Sequence, residues 1–176
     1  MDAFRHVMGD CDESGGIGMA EFEDALLSAI AATLLVEPRS SLQALAKVAG
    51  ISRATLYRIR PTREQQVELL VARSIAVTRQ ALHDAALDPA MPGQSLERLT
   101  ARILYKREIF TFPFMQGPSS SQFEEDPQWN FFDTAMEDFI LQCQQAGPLR
   151  VDGTPAWLQE VYGILIFAAA RALKVG

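Results

Sequence analysis

Apolar residues recur every three or four positions along most of the chain, a spacing that predicts helices rather than strands. The longer helices are expected over residues 19–36, 62–87, 95–111, 126–146 and 156–174. Two shorter helices are expected between residues 40 and 59. Because proline and glycine disfavour a continuous helix, the pattern is interrupted at Pro38, 88–93, Pro113 and Gly147-Pro148. The hydrophobic pattern therefore predicts an all-α protein.

The two short helices have the layout of a helix-turn-helix. One face of the first helix is apolar at helical spacing and carries Leu42, Leu45, Ala46 and Ala49. Gly50 follows, where a helix commonly ends in a left-handed conformation that glycine adopts most easily. Ser52 is a good N-cap for the second helix, since its hydroxyl can accept from an unpaired backbone N–H. In a helix-turn-helix, this second helix enters the major groove of DNA.

Positive charge is concentrated around this helical pair, although the whole protein has a formal net charge of −6. Residues 39–63 include six basic residues and no acidic one, whereas residues 1–38 include one basic residue and eight acidic ones. Such a patch suits DNA, because neutralising phosphates releases their counterions. The charge therefore predicts a DNA-binding element. The alternative is an ordinary helical pair with a solvated basic face.

Residues 24–72 resemble the DNA-binding domain of the tetracycline-repressor family of bacterial regulators. The resemblance rests on Ala46-Lys47-Val48-Ala49-Gly50-Ile51-Ser52-Arg53-Ala54-Thr55-Leu56-Tyr57 and on Pro61-Thr62-Arg63-Glu64. It implies an all-α homodimer, with an N-terminal three-helix head for DNA and a C-terminal antiparallel helical body for ligand binding and dimerisation. It also implies a transcriptional regulator, usually a repressor that a small molecule releases. The corresponding domains are an acidic, flexible leader at 1–18, the helix-turn-helix domain at 19–64 and the body at 65–176.

The DNA contacts are expected on the second short helix and at neighbouring helix starts. At the start of the second helix, the residues expected to face base edges are Ser52, Arg53, Ala54 and Thr55. Tyr57 and Arg58 are expected to reach a phosphate or an outer base. Ser41 and Arg63 are expected to hold phosphates from helix N-termini, and Gln43 to reach a base.

The acidic leader offers a second interpretation. Residues 10–21 resemble an EF-hand calcium loop, with ligand positions at Asp10, Asp12, Ser14 and Glu21 and a turn glycine at Gly15. The alternative function is therefore a calcium-responsive helical interaction protein. The competing interpretation is a glycine-rich leader that frays before the first helix and holds no metal.

The body concentrates aromatic and methionine side chains, which suit an apolar or aromatic effector. The candidate ligand-binding residues are Phe110, Phe114, Met115, Trp129, Phe132 and Met136. The alternative for each of them is ordinary core. The last helix is expected to form the dimer interface, because small and apolar residues lie at helical spacing at Val161, Leu165, Ala168, Ala169 and Ala172.

Enzyme chemistry finds little support in the sequence. His6 and His83 have no evident partners, and Cys11 and Cys143 form neither a metal-like spacing nor a disulfide framework. We therefore expect no catalytic residue, no metal and no cofactor. Because the chain begins without an apolar signal segment and its apolar runs are short, we expect a cytoplasmic protein without membrane contact. The expected partners are an operator in double-stranded DNA, a small-molecule effector and a second copy of the chain.

Overall fold

The computed structural model describes residues 16–59, 62–115 and 127–172, which form eight α-helices and two short 3-10 helices. In chain order the α-helices are α1 Gly16–Val36, α2 Leu42–Val48, α3 Arg53–Ile59, α4 Arg63–Ala85, α5 Pro92–Tyr105, α6 Arg107–Thr111, α7 Asn130–Ala146 and α8 Pro155–Ala172. The 3-10 helices are Pro113–Met115 and Pro127–Trp129. These ranges contain no strand, so the predicted all-α class is confirmed. None of their helices has both the length and the apolar character that a membrane span requires.

The chain divides into two compact units after Val71, inside α4. In the first unit, α2 packs against α1 and α3. The buried apolar side chains of α1 recur at helical spacing and are Leu26, Leu27, Ile30, Ala31 and Leu34. Those of α2 and its C-cap are Leu45, Ala46 and Ala49, and α3 buries Leu56. The apolar face predicted for the first short helix therefore faces the core of this unit, with Leu42 partly exposed at its edge.

Side-chain hydroxyls cap three of the helices in this region, as their N-terminal positions predict. Ser41 Oγ accepts from the backbone N–H of Ala44 at 3.2 Å and starts α2. Ser52 Oγ accepts from the N–H of Thr55 at 3.0 Å and starts α3. Thr62 and Gln65 form a reciprocal capping pair at the start of α4. Because these bonds are local in sequence, the starts of the three helices could be predicted without knowledge of the fold.

Gly50 makes the turn of the helix-turn-helix in the left-handed conformation, with φ of +68°. A Cβ at this position would meet no atom of the described residues within 4 Å, so alanine there costs backbone strain rather than a collision with them. We expect Gly50→Ala to lower the free energy of unfolding by about 1–2 kcal/mol. Urea unfolding followed by circular dichroism measures the change.

The matched control for this prediction is Gly93→Ala. Gly93 also has open space around its Cβ position, but it lies in the first turn of α5 with an ordinary negative φ. Alanine is the better helix former there, so this variant is expected to be neutral or slightly more stable. Equal destabilisation of the two variants would contradict the role assigned to the Gly50 conformation.

In the second unit, α8 packs against α5, α6 and α7. The main apolar cluster draws on five helices and contains Ala81, Ala85, Leu99, Ile103, Phe110, Phe132, Met136 and Ile166. A smaller cluster is formed by α7 residues Phe139, Ile140 and Cys143. Gly147, with φ of +97°, closes α7 in the left-handed conformation. The core of this unit therefore lies between helices that are far apart in sequence.

The helix predicted over residues 95–111 is two helices in the structure. It begins earlier, at Pro92, because the fixed φ of proline suits the first position of a helix. It breaks at Lys106, whose backbone leaves the helical region with φ of −112° and ψ of 31°. Beyond the break, Ile109, Phe110, Thr111 and Phe112 are all buried. A helix that is apolar all round is buried rather than amphipathic, so the segment after Lys106 lies inside the second unit.

Smaller differences occur at other helix ends. The first helix begins at Gly16 rather than at residue 19, and α4 ends at Ala85 rather than at residue 87. A 3-10 turn over Pro127–Trp129 precedes α7 where one continuous helix was predicted. The last helix begins at Pro155, and its described part ends at Ala172. All these shifts lie at helix termini, where sequence patterns are least specific.

The C-terminal end of α4 is held by two arginines from α5. Arg98 donates from Nε to the carbonyl of Ala85 at 2.8 Å and from Nη2 to that of Ala86 at 3.1 Å. Arg102 Nη1 lies 3.0 Å from a carboxylate oxygen of Asp84. Both cations lie near the negative end of the α4 dipole. Arg98 also satisfies carbonyls that the helix leaves without partners. The last turn of α4 is therefore fixed to α5.

The leader and the calcium-loop alternative fall mostly outside the described residues. Residues 1–15, which include ligand positions Asp10, Asp12 and Ser14, are among those that the structure leaves undescribed. Residues 16–21, which complete the EF-hand-like pattern, form the first turns of α1. The flexibility of the leader and its calcium binding therefore stay predictions.

Candidate nucleic-acid interface

Helix α3 exposes one side that is rich in groups suited to DNA. Arg53, Ala54, Tyr57 and Arg58 are exposed, with Tyr57 showing 59% of its surface. Leu56 faces the opposite way and is buried. The two faces differ because Leu56 is held in the core of the first unit, which turns the arginines and Tyr57 outward. Four of the predicted contact residues therefore lie on the exposed side of one short helix.

Ser52 and Thr55 are less available to DNA than their positions predict. Besides accepting from the Thr55 N–H, the Ser52 hydroxyl lies 2.8 Å from that of Thr55. Thr55 is partly buried. Since these hydroxyls hydrogen-bond to one another, their first role in this structure is to start α3. Base recognition by Ser52 and Thr55 stays a prediction.

Helix α2 presents Ser41 and Gln43 as exposed residues at its N-terminal end. Ser41 borders an open surface hollow whose lining residues are Glu37, Pro38, Arg39, Ser40, Ser41 and Ala44. Its hydroxyl already accepts from the Ala44 N–H, so its own proton remains available to a phosphate oxygen. The predicted phosphate contact at Ser41 is therefore compatible with its capping role.

The start of α4 places a cation beside a carboxylate. Arg63 is the first residue of the helix and is partly exposed, and Glu64 follows it. A backbone hydrogen bond to the Glu64 carboxylate, then the Thr62 hydroxyl and the nearby Arg63 charge, lower the pKa of Glu64. Glu64 is therefore ionised at neutral pH and partly offsets the charge that Arg63 offers to a phosphate.

Lys47 is a further candidate, which the expected set of individual contacts does not include. It lies exposed in the last turn of α2, directly after two buried residues. The signal available in the sequence is its place in the basic stretch 39–63, which indicates a total charge and singles out no contact. We add Lys47 to the candidate phosphate contacts.

The predicted ligand-binding residues lie in the second unit, mostly buried. Phe110, Trp129, Phe132 and Met136 are buried, whereas Phe114 and Met115 are partly exposed. Phe114 contacts Phe110, Trp129 and Phe167, with ring centroids 5.8, 5.4 and 5.8 Å away. Phe110, Phe132 and Met136 also belong to the main apolar cluster, so a core role and a ligand role stay open for them.

Phe131 and Arg79 extend the aromatic group toward solvent. The rings of Phe131 and Trp129 are stacked, with centroids 6.3 Å apart and planes inclined by 22°. The guanidinium of exposed Arg79 lies 3.7 Å from the centroid of Phe131. We call Phe110, Phe114, Trp129, Phe131 and Phe167 the aromatic cluster. The ligand candidates expected from the sequence do not include Phe131, Phe167 or Arg79. Of these three, only Phe131 could have been suspected from the sequence, because it is next to the candidate Phe132.

Among the described residues, histidine, cysteine, aspartate and glutamate side chains form no group of three or more that could hold a metal ion.

Asp133 of α7 has a raised pKa, chiefly because of burial and then because of the neighbouring Glu137. Its carboxylate accepts from Gln159 Nε2 at 2.5 Å, which joins α7 to α8. This arrangement fits a structural contact between helices.

Known transcriptional regulators are similar to this chain over most of its length, whereas no protein-family model matches it. The sequence is 31% identical over 156 residues to the HTH-type transcriptional regulator NfxB of Pseudomonas aeruginosa, covering 88% of this chain and 83% of that protein. The fold is similar to that of the TetR family transcriptional regulator PfmR from Thermus thermophilus, with a TM-score of 0.63 and 16% identity over 85% of this chain and 84% of that one. These similarities confirm the resemblance drawn from residues 46–64. The chain is therefore a DNA-binding transcriptional regulator that belongs to the tetracycline-repressor family.

Proposed function

We propose that this protein is a repressor that binds a palindromic operator as a homodimer and leaves it when a small apolar or aromatic molecule binds to the body. The proposed DNA contacts are supported chiefly by the exposed side of α3, on which Arg53, Tyr57 and Arg58 lie together. The surrounding stretch 39–63 has no acidic residue in a protein of net charge −6. A basic helix face in an acidic protein supports phosphate binding by this region.

The proposed dimer interface is an apolar stripe on α8. At helical spacing and on the side away from the buried Ile166 and Ala170, it contains Trp157, Val161, Ile164, Leu165 and Ala168. Ile164 and Leu165 expose 60% and 62% of their surface. Exposed apolar stripes of this kind mark association surfaces. A twofold interface buries the same surface on both subunits, so one stripe suffices for a symmetric pair. Ala172 of the predicted stripe continues it on the same face and is exposed, whereas Ala169 flanks it and is partly buried.

A dimer follows from the size of the recognition helix as well. Helix α3 has seven residues and can reach only a few base pairs. Two copies related by twofold symmetry would read two half-sites and so recognise a palindrome. Selecting bound sequences from random DNA tests the proposal directly. A palindromic consensus supports it, and recovery of random sequences contradicts it.

Two arginines of the candidate nucleic-acid interface are expected to differ in their effects on DNA specificity. Arg53, on the exposed side of α3, is placed to read a base edge, so Arg53→Ala should relax preference at one position of the site by about 1–3 kcal/mol. Arg63, at the start of α4, is placed to hold a phosphate, so Arg63→Ala should weaken binding to all sequences alike. It should also flatten the salt dependence by about one unit per half-site. Fluorescence anisotropy on specific and random duplexes over a series of salt concentrations measures both effects. If each variant loses as much affinity for random DNA as for specific DNA, the base-reading role of Arg53 is wrong.

A further inference from the structure

Trp129 buries a hydrogen-bond donor for which the described residues provide no partner. Its side chain is only 6% exposed, and its indole Nε1 has no hydrogen-bond acceptor in the part of the chain that the structure describes. Buried polar groups are nearly always hydrogen-bonded, because an unpaired one loses its water without compensation. An unpaired indole N–H inside the body therefore marks a place where an acceptor from another molecule would be stabilised.

A comparison with Arg107 strengthens this assignment. Arg107 Nε is also buried without a partner, but its guanidinium forms an ion pair with Glu108 through Nη2 at 2.9 Å. Arg107 therefore has a charge partner inside the chain, whereas the single donor of the Trp129 side chain has none among the described residues. Trp129 is the better candidate for a ligand contact.

The side chains around Trp129 indicate which shape of ligand would fit beside its indole N–H. Phe131 stacks on the Trp129 ring, and Phe114 lies tilted against it at 5.4 Å. Flat aromatic molecules pack well among rings in offset or edge-to-face arrangements. Phe114 and its chain neighbour Met115 are partly exposed, so a ligand can displace Phe114 from the edge of the aromatic cluster without opening the buried core. Met115 has a flexible, adaptable side chain that suits such a rearrangement.

The positive charge of Arg79 beside the aromatic cluster indicates which polar groups a ligand could carry. The Arg79 guanidinium lies over the outer face of the Phe131 ring, 3.7 Å from its centroid. A cation at this place favours a ligand whose polar atom is electron-rich and disfavours a ligand that brings a second cation. The indole N–H imposes the same preference, because it can donate and cannot accept.

We propose that Trp129 is the anchoring donor of the effector site, and that the effector is an aromatic molecule carrying a carbonyl-type acceptor. This inference rests on the proposed function, since it names the chemistry of the molecule that would release the repressor. The aromatic cluster supplies the apolar contacts, and the indole N–H distinguishes an aryl carbonyl from a hydrocarbon of the same shape. A buried donor left unpaired by the wrong ligand is an effective basis for such selection.

The test uses two probes that differ in one group. Benzophenone carries a C=O group where 1,1-diphenylethylene carries C=CH2, so both have the same shape and only benzophenone has an acceptor. The full-length protein is labelled with ¹⁵N, and each of its two tryptophans contributes one indole N–H signal. A Trp157→Phe variant assigns the signals, since Trp157 lies half-exposed on α8. We expect benzophenone to move the Trp129 signal downfield, as a new hydrogen bond does, and 1,1-diphenylethylene to cause no such downfield change.

Affinities of the two probes provide the second measurement. Calorimetry should show that the wild-type protein prefers benzophenone about tenfold, the effect of one net hydrogen bond. Trp129→Phe keeps an aromatic ring and removes the donor, so this variant should bind the two probes with about equal affinity. A Tyr105→Phe control, at an exposed residue outside both the aromatic cluster and the proposed dimer interface, should retain the preference for benzophenone. A missing downfield shift, an unchanged preference in Trp129→Phe, or failure of both probes to bind would each overturn the inference.

The DNA affinity of the ligand-free protein separates this inference from the proposed function. Both are measured in the same preparation, with the DNA selected from random sequences. If the protein binds benzophenone through Trp129 but binds no specific DNA, Trp129 remains the donor of a ligand site, and the proposed repressor is contradicted. A protein that binds a palindrome but shows no Trp129 response keeps the repressor and overturns the inference.

Discussion

Leu165→Glu is expected to separate the proposed dimer into monomers and to weaken operator binding about a hundredfold or more. Leu165 exposes 62% of its surface within one subunit, so a carboxylate there leaves the fold of the monomer nearly unchanged. In a twofold interface the substitution occurs on both subunits and buries two like charges close together, which is strongly unfavourable. Loss of the second half-site contact removes an effective concentration that is worth about 10²–10⁴ in affinity.

Sedimentation velocity at tens of micromolar and anisotropy on the selected operator measure these two effects. Tyr105→Glu is the matched control, because Tyr105 is an exposed aromatic residue at the end of a different helix, α5. It should leave both the mass and the affinity unchanged. Leu165 is a cleaner test position than Ala169, whose partial burial would also disturb the monomer. A Leu165→Glu protein that sediments as a dimer and binds its operator normally would show that α8 is not the interface.

Leu45→Ala is expected to destabilise the DNA-binding unit by about 2–5 kcal/mol. Leu45 is 1% exposed and lies on α2, which packs against both α1 and α3. Removing its side chain leaves a cavity that the surrounding helices fill only in part. Since whole domains are stable by about 5–15 kcal/mol, this loss is a large fraction of the total and should lower DNA affinity by unfolding α3.

Val48→Ala is the control, since Val48 lies on the same short helix and is 53% exposed. It should change the free energy of unfolding by less than about 0.5 kcal/mol, as surface substitutions usually do. Urea denaturation followed by helical circular dichroism compares the two variants. A loss below about 1 kcal/mol for Leu45→Ala would mean that α2 does not hold this unit together.

The helix-turn-helix could be predicted because its determinants are close together in the chain. Ser52 caps α3 through a residue three positions away, and the Gly50 conformation depends on one backbone dihedral angle. The exposed side of α3 follows from the burial of Leu56 at helical spacing. Local hydrogen bonds and periodicity are visible in a sequence, so the residues alone were enough to predict the two short helices and the turn between them.

The body could be predicted only in outline. The break at Lys106 is marked by no glycine or proline, and the four consecutive buried residues that follow it, 109–112, do not have the pattern of an amphipathic helix. The aromatic cluster joins Phe114 with Phe167 of α8, which is distant in sequence. The unpaired donor of Trp129 is likewise a property of three-dimensional packing, since the sequence does not tell which acceptors are absent. Helix existence is a local property, whereas these features depend on long-range contacts.

The hold of Arg98 and Arg102 on the end of α4 has a consequence for local opening. Helix ends are usually the first part of a helix to fray and to exchange their amide hydrogens with water. The last turn of α4 is tied to α5 by hydrogen bonds and an ion pair, so it should open only when α5 separates from it. Slow amide exchange at this end of α4 is therefore the expected mark of the two arginines.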